Sequence, residues 1–145
     1  MNKNNKISDY RFPNSISDPF VKTSEPTYRY NCIAWSVGDD TKWWWPHKDT
    51  FWPDDLQKEE TLEAFIRLYA RMGYELCDHP DYEDNYEKLV LFADDASNPT
   101  HAARQLPNGK WTSKLGPSED VEHSLKSVSD GEYGKPVVYF KRKAK

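Results

Sequence analysis

Two hydrophobic rhythms run along this chain, and glycine or proline separates the stretches that carry them. Between Lys58 and Met72 the apolar residues Leu62, Phe65, Ile66, Tyr69 and Met72 recur at i, i+3, i+4, i+7 and i+10, with Glu59, Glu60, Glu63, Arg67 and Arg71 on the remaining positions. That spacing predicts an amphipathic helix, which Gly73 ends. Past the acidic connection at 78–86 the pattern turns β-like. Leu89-Val90-Leu91-Phe92-Ala93 reads as a buried strand between Lys88 and Asp94-Asp95. A second strand is expected from Thr100 to Leu106, then a type I′ hairpin turn at Pro107-Asn108-Gly109-Lys110 and a return strand to Lys114. Leu115-Gly116-Pro117 breaks that strand. Ser118 with Glu119 and Asp120 then predicts a capped helix start, with Val121, Leu125 and Val128 as its apolar stripe. Gly131 to Gly134 turns the chain, and the last strand is expected at Pro136 to Lys141.

The first part of the chain is less regular. Residues 1–27 show neither period and read as an irregular N-terminal arm. Asn31 is a good N-cap for a short helix that begins at Cys32 and closes near Gly38. Trp43-Trp44-Trp45-Pro46-His47 and Phe51-Trp52-Pro53 predict an irregular aromatic loop, because two prolines rule out a long regular element. The order of elements predicts an α+β domain over residues 28–145, with helices packed on a mostly antiparallel sheet.

Composition narrows what such a domain can do. The 145 residues include 30% charged and 14% aromatic side chains, so large rings must carry much of the burial and disorder is disfavoured. A net charge of −4 supplies no basic face for nucleic acid. The basic run Lys141-Arg142-Lys143-Ala144-Lys145 reads as a solvated tail. No stretch has the apolar length of a membrane span or of a signal-peptide core, and two cysteines make no disulfide framework, so free thiols in a cytoplasmic setting are expected. Cys77, His79 and His47 match no zinc spacing, and neither metal nor other cofactor is expected.

The chemistry then centres on Cys32. A thiol in the first turn of a helix meets free amides and the positive end of the helix dipole, which favour a thiolate. His101, in Thr100-His101-Ala102-Ala103-Arg104-Gln105, is the imidazole expected to serve it as base and acid. Asn31-Cys32-Ile33-Ala34-Trp35, the strand Leu89 to Ala93, Thr100-His101-Ala102-Ala103 and the Asn108-Gly109-Lys110-Trp111 hairpin together resemble the small papain-like cysteine hydrolases of the NlpC/P60 and CHAP types. In those a cysteine opens a helix and a histidine opens a strand. The chain also resembles an uncharacterised bacterial domain family that carries Asn-Cys-x-Ala-Trp early, then His-Ala-Ala-Arg-Gln, Trp-Thr-Ser-Lys-Leu-Gly and Asp-x-x-His late.

The first resemblance implies a papain-like fold and a thiol hydrolase acting on an amide or related acyl bond of a peptide, glycopeptide or protein. Cys32 would be the nucleophile and its N–H part of the oxyanion hole. Papain-like sites add a third polar residue on the neighbouring strand, where this chain offers only Thr112 and Ser113; Asp120, His123 and Gln105 stay open as orienters of His101. Asn31, Trp35, Trp44 and Gln105 are the expected substrate contacts. Plainer readings stand beside these. Cys32 also fits a small core side chain, His101 a structural imidazole, the tryptophans a core cap, and Arg104 and Lys114 solvated sheet residues. The whole then becomes a non-catalytic binding or immunity-type interaction module.

Overall fold

Tyr86–Ala93 (β4) lies between two neighbours in the sheet and is buried along both faces, which is why its residues read as one continuous apolar run. Leu89 and Leu91 point to one face with Ala102 and Phe140, while Val90 and Phe92 point to the other with Ala103 and Trp111. The computed structural model describes residues 5–144. Met1–Asn4 and Lys145, which belong to the N-terminal arm and the basic tail read from sequence, lie outside the described residues.

Ten elements follow one another: β1 (Lys6–Ile7), β2 (Phe20–Lys22), α1 (Cys32–Ser36), α2 (Leu62–Arg71), β3 (Glu75–Cys77), β4, β5 (Pro99–Gln105), β6 (Trp111–Lys114), β7 (Asp120–His123) and β8 (Lys135–Lys143). The strands form one sheet in the order β1-β2-β7-β6-β5-β4-β8-β3, with every pairing antiparallel. Both helices cover the first face, where Ile33, Phe65, Leu68 and Tyr69 meet the strand residues. The opposite face is closed by Phe12, Phe20, Leu115, Val121 and Val128, drawn from the N-terminal segment and the later loops. Side-chain caps start both helices: Asn31 Oδ1 accepts from the Ala34 N–H at 3.2 Å and Thr61 Oγ1 from the Ala64 N–H at 3.1 Å. Among the described residues no helix is long and apolar enough to cross a membrane.

This architecture corrects the papain-like α+β expectation. The chain is mostly one eight-stranded antiparallel sheet, and its helices amount to a five-residue and a ten-residue segment. The helix expected from Ser118 is strand β7, which pairs with both β6 and β2 and leaves only a 3-10 turn at Lys126–Val128. Its helical spacing was coincidental: in β7, Val121 and His123 alternate with Glu122, and the two neighbouring strands take up the backbone hydrogen bonds. Residues 1–27 contribute β1 and β2 to the sheet edge, with Phe12 and Phe20 fully buried. At the hairpin only Gly109 has positive φ, at 86°, and its N–H donates to Leu106 O. Pro107 and Asn108 therefore form an ordinary turn that Gly109 follows in the left-handed region, in place of the type I′ turn.

A helix-start thiol and a buried imidazole relay

Asn31 does more than cap α1. Its Oδ1 also accepts from the Trp44 N–H at 3.0 Å and its Nδ2 donates to Trp44 O at 2.9 Å, so one amide ties the aromatic loop to the start of the helix. Cys32 follows, and the backbone N–H groups of Cys32, Ile33 and, on β5, Ala102 lie near enough to its sulfur to favour a thiolate. Strands β5 and β6 pair only at Arg104↔Thr112 and Gln105↔Trp111, which leaves β5 open to α1 near Ala102. Burial pushes the thiol up to about 11, against the pull of those three amides and of the Lys114 charge. The resting group is a neutral thiol. It borders a cavity of about 350 Å³ walled by Trp43, Trp45 and Tyr133, with His47, Thr100 and Gly116 on its rim.

His101 is fully buried on the neighbouring residue of the same strand. Its Nε2 lies 2.9 Å from Ser113 Oγ on β6, and that hydroxyl lies 2.7 Å from His123 Nε2 on β7. His123 Nδ1 is 2.7 Å from Ser124 O. The last contact sets the whole chain, because a carbonyl only accepts. His123 must carry its proton on Nδ1, so its Nε2 accepts from the Ser113 hydroxyl, and Ser113 Oγ accepts from His101 Nε2–H. His101 Nδ1 is left bare. It is buried and has no hydrogen-bond partner. Burial holds both imidazoles neutral, with His101 well below its ordinary value, lowered further by His123, and His123 lowered to about 4.

Tyr133 is common to both halves of the site. It lines the cavity beside Cys32 and stacks flat on His101, with ring centroids 4.0 Å apart and an interplanar angle of 4°. The structure thus brings Cys32 to the backbone of the residue after His101, yet no hydrogen bond joins sulfur to imidazole among the described residues.

The other expected site residues divide into two groups. His123 is in the relay, reached through Ser113. Asp120 is not: its Oδ2 accepts from the Tyr30 hydroxyl at 2.6 Å, its N–H donates to Ser24 Oγ, and its Oδ1 is buried without a partner. It holds Tyr30, whose phenol is pushed up to about 12 by burial and by Asp120. Asn31 lines the cavity. Trp44 holds the helix start while Trp43 and Trp45 form the wall. Trp35 and Gln105 border a separate cleft at the other end of α1. Lys114, expected as a solvated sheet residue, is fully buried. Its ammonium donates to Thr27 O at 2.8 Å, to Gly116 O at 2.9 Å and to Ser118 O, because strand alternation sends it away from Ser113 into a cage of carbonyls.

Ser113 and Tyr133 are the members that sequence reasoning passed over. A lone serine is a weak orienter of imidazole, and its strength here comes from His123 behind it. Pairing the return strand with β5 and β7 in register would have found Ser113; a tyrosine inside a glycine turn carries no comparable signal. No group of three or more His, Cys, Asp or Glu among the described residues could hold a metal ion. Residues 21–141 match the model of a family described as a domain of unknown function (DUF7689). No curated protein and no solved structure matches the chain.

Proposed function

The chain belongs to DUF7689, a domain family of unknown function, and from that premise we propose that it is a thiol-dependent acyl hydrolase in which Cys32 is the nucleophile and His101 Nδ1 its proton acceptor. The observation that carries this reading is the relay. Three buried groups on adjacent strands leave one tautomer of His101, whose only unspent atom is a basic nitrogen, on the residue next to Ala102, whose N–H lies near the Cys32 sulfur. A buried imidazole held in that state for structural reasons alone leaves a polar atom unsatisfied, at a cost of roughly 1–3 kcal/mol.

The chemistry runs from neutral partners. With the thiol pushed up to about 11 by burial and the buried imidazole lowered, an ion pair is disfavoured before the substrate is attacked. Proton transfer is therefore concerted with attack. The Cys32 S–H proton passes to His101 Nδ1 as sulfur adds to the carbonyl carbon of a substrate seated in the aromatic cavity. His101 returns the proton to the leaving group as the C–N or C–O bond breaks. Water then cleaves the thioester, and the thiol is restored.

A second reading, a non-catalytic binding or immunity-type module, is favoured by the raised thiol and by the absence of a Cys32–His101 hydrogen bond. In that case the aromatic cavity takes an apolar side chain of a partner protein and the cysteine only lines it. Incubation with p-nitrophenyl acetate, followed by peptide mass mapping, separates the two. The hydrolase reading expects acetyl on Cys32 ahead of Cys77, with the acylation rate falling at least tenfold in His101→Gln and in Ser113→Ala. Equal labelling of both cysteines, or rates unchanged in both variants, leaves the binding module.

A further inference from the structure

The cleft at the other end of α1 is separate from the thiol site and holds an arginine with no carboxylate partner among the described residues. It encloses about 640 Å³ between the end of α1, the start of β4, the β5–β6 hairpin and β8. Two arginines face it, and they are placed differently. Arg142 is fully committed: Nε and Nη2 donate to Glu87, Nη1 donates to Met72 O at 2.7 Å, and the guanidinium lies 4.3 Å from the Tyr74 ring centroid. Arg104 has no such set. Its guanidinium lies 5.2 Å from the Trp35 ring centroid, its single hydrogen bond among the described residues runs from Nε to Trp35 O at 3.4 Å, and no carboxylate among them is within ion-pair distance.

Trp35 itself is held in place by Nε1–H donating to Thr112 Oγ1 at 3.0 Å and by the Tyr30 ring, with centroids 5.5 Å apart. The guanidinium is therefore positioned by a fixed platform, with its two Nη groups spare. Burial lowers the Arg104 value, and Tyr74, Glu87 and Asp120 only partly offset it from a distance, which marks a cation short of solvent. Next to it, Gln105 donates from Nε2 to Gly109 O at 3.2 Å and to Pro80 O at 3.4 Å. Both partners are carbonyls, so the amide orientation is fixed and its buried Oε1 lies on the face of β5 opposite Arg104, which leaves the arginine as the polar anchor of the cleft. Tyr74, Tyr82 and Tyr86 supply flat apolar walls.

We propose that this cleft binds a small organic anion, its carboxylate or phosphate forked by Arg104 and its aryl or acyl body lying against the tyrosines. A fork of two guanidinium N–H groups matches two oxygens of either anion, and the volume fits a ligand of ordinary metabolite size. Hippurate, which carries a carboxylate, an amide N–H and a ring, and phenyl phosphate are the two probes. Each is titrated by calorimetry and by the Trp35 indole N–H resonance, against sodium chloride at equal ionic strength and against the neutral hippuramide.

Saturable binding by either probe, at least tenfold weaker in Arg104→Met and unchanged in Cys32→Ala, supports the site and keeps it separate from the thiol reading. The tighter of the two names the anion. Binding that is absent for both probes, equal for hippurate and hippuramide, or undiminished in Arg104→Met overturns it. The comparison of hippurate with hippuramide uses the unaltered chain, so it decides the matter even if Arg104→Met fails to fold.

Discussion

Acid should unfold this protein through its buried imidazole relay before its carboxylates contribute. His123 titrates near 4 in the folded chain because it is taken out of water, whereas an unfolded histidine titrates near 6.5. A depressed value means that the stabilising contribution is complete above pH 6.5 and is lost as pH falls toward 4, since the unfolded chain takes up the proton first. The gap is 6.5 − 4 = 2.5 units, which at 1.36 kcal/mol per unit amounts to about 3 kcal/mol. His101 is lowered in the same direction and adds to this. Urea unfolding followed by tryptophan emission at pH 7.5, 5.5 and 4 measures the loss. In His123→Gln, where the Gln amide oxygen still accepts from Ser113, the loss between pH 7.5 and 4 should shrink by about 3 kcal/mol. Carboxylates held low by ion pairs or backbone amides, such as Glu83 and Asp94, lose their contribution equally in both chains and cancel. An acid-induced loss identical in the two proteins, or a His123 ring resonance titrating near 6.5, would refute the assignment of a dry, neutral relay.

Three further outcomes follow from the same structure. Cys32→Ala should flatten the alkaline limb: a thiol raised from 9.0 to about 11 loses about 3 kcal/mol of stabilisation as pH rises across that window, measured as the difference in urea midpoint between the variant and the parent at pH 8 and pH 11. Lys114→Met should cost about 2–3 kcal/mol, because the carbonyls of Thr27, Gly116 and Ser118 lose their common donor inside the fold, and should speed amide exchange between Thr27 and Tyr30. Gly134→Ala places a Cβ 2.1 Å from Ala93 O at a φ of 78°, so the variant should unfold at least 10 °C lower in a thermal scan or fail to accumulate, roughly 2 kcal/mol or more for a domain of this size; an unshifted midpoint would show that the turn carrying Tyr133 adjusts freely.

Much of the fold was legible residue by residue. Asn31 announces its helix because a cap is a local hydrogen bond, closed within three residues of chain, whereas the Thr61 cap lay inside a stretch read as helical from Lys58. The helix read over Lys58 to Met72 and the strand read over Leu89 to Ala93 were legible because a helix stripe and a doubly buried strand each leave a continuous record in composition, though the observed elements run Leu62–Arg71 and Tyr86–Ala93. The segment at Ser118 misled because three apolar residues at helical spacing cannot outweigh two neighbouring strands waiting for partners. Its pairing with β2 spans roughly a hundred residues of sequence, Val21 to Glu122, and no local period encodes such a partner.

The same division runs through the site. Sequence alone singled out Cys32 at a helix start, His101 near a strand start and His123 as a possible orienter, since each depends on a residue type and its immediate surroundings. Only the tertiary structure decided that β5, β6 and β7 lie side by side, so that Ser113 stands between two imidazoles and a single carbonyl at Ser124 dictates every proton in the row. It also decided that Cys32 rests as a neutral thiol. The helix dipole is a local property readable from position, whereas desolvation comes from what the rest of the chain lays over the sulfur, and here desolvation is the larger effect.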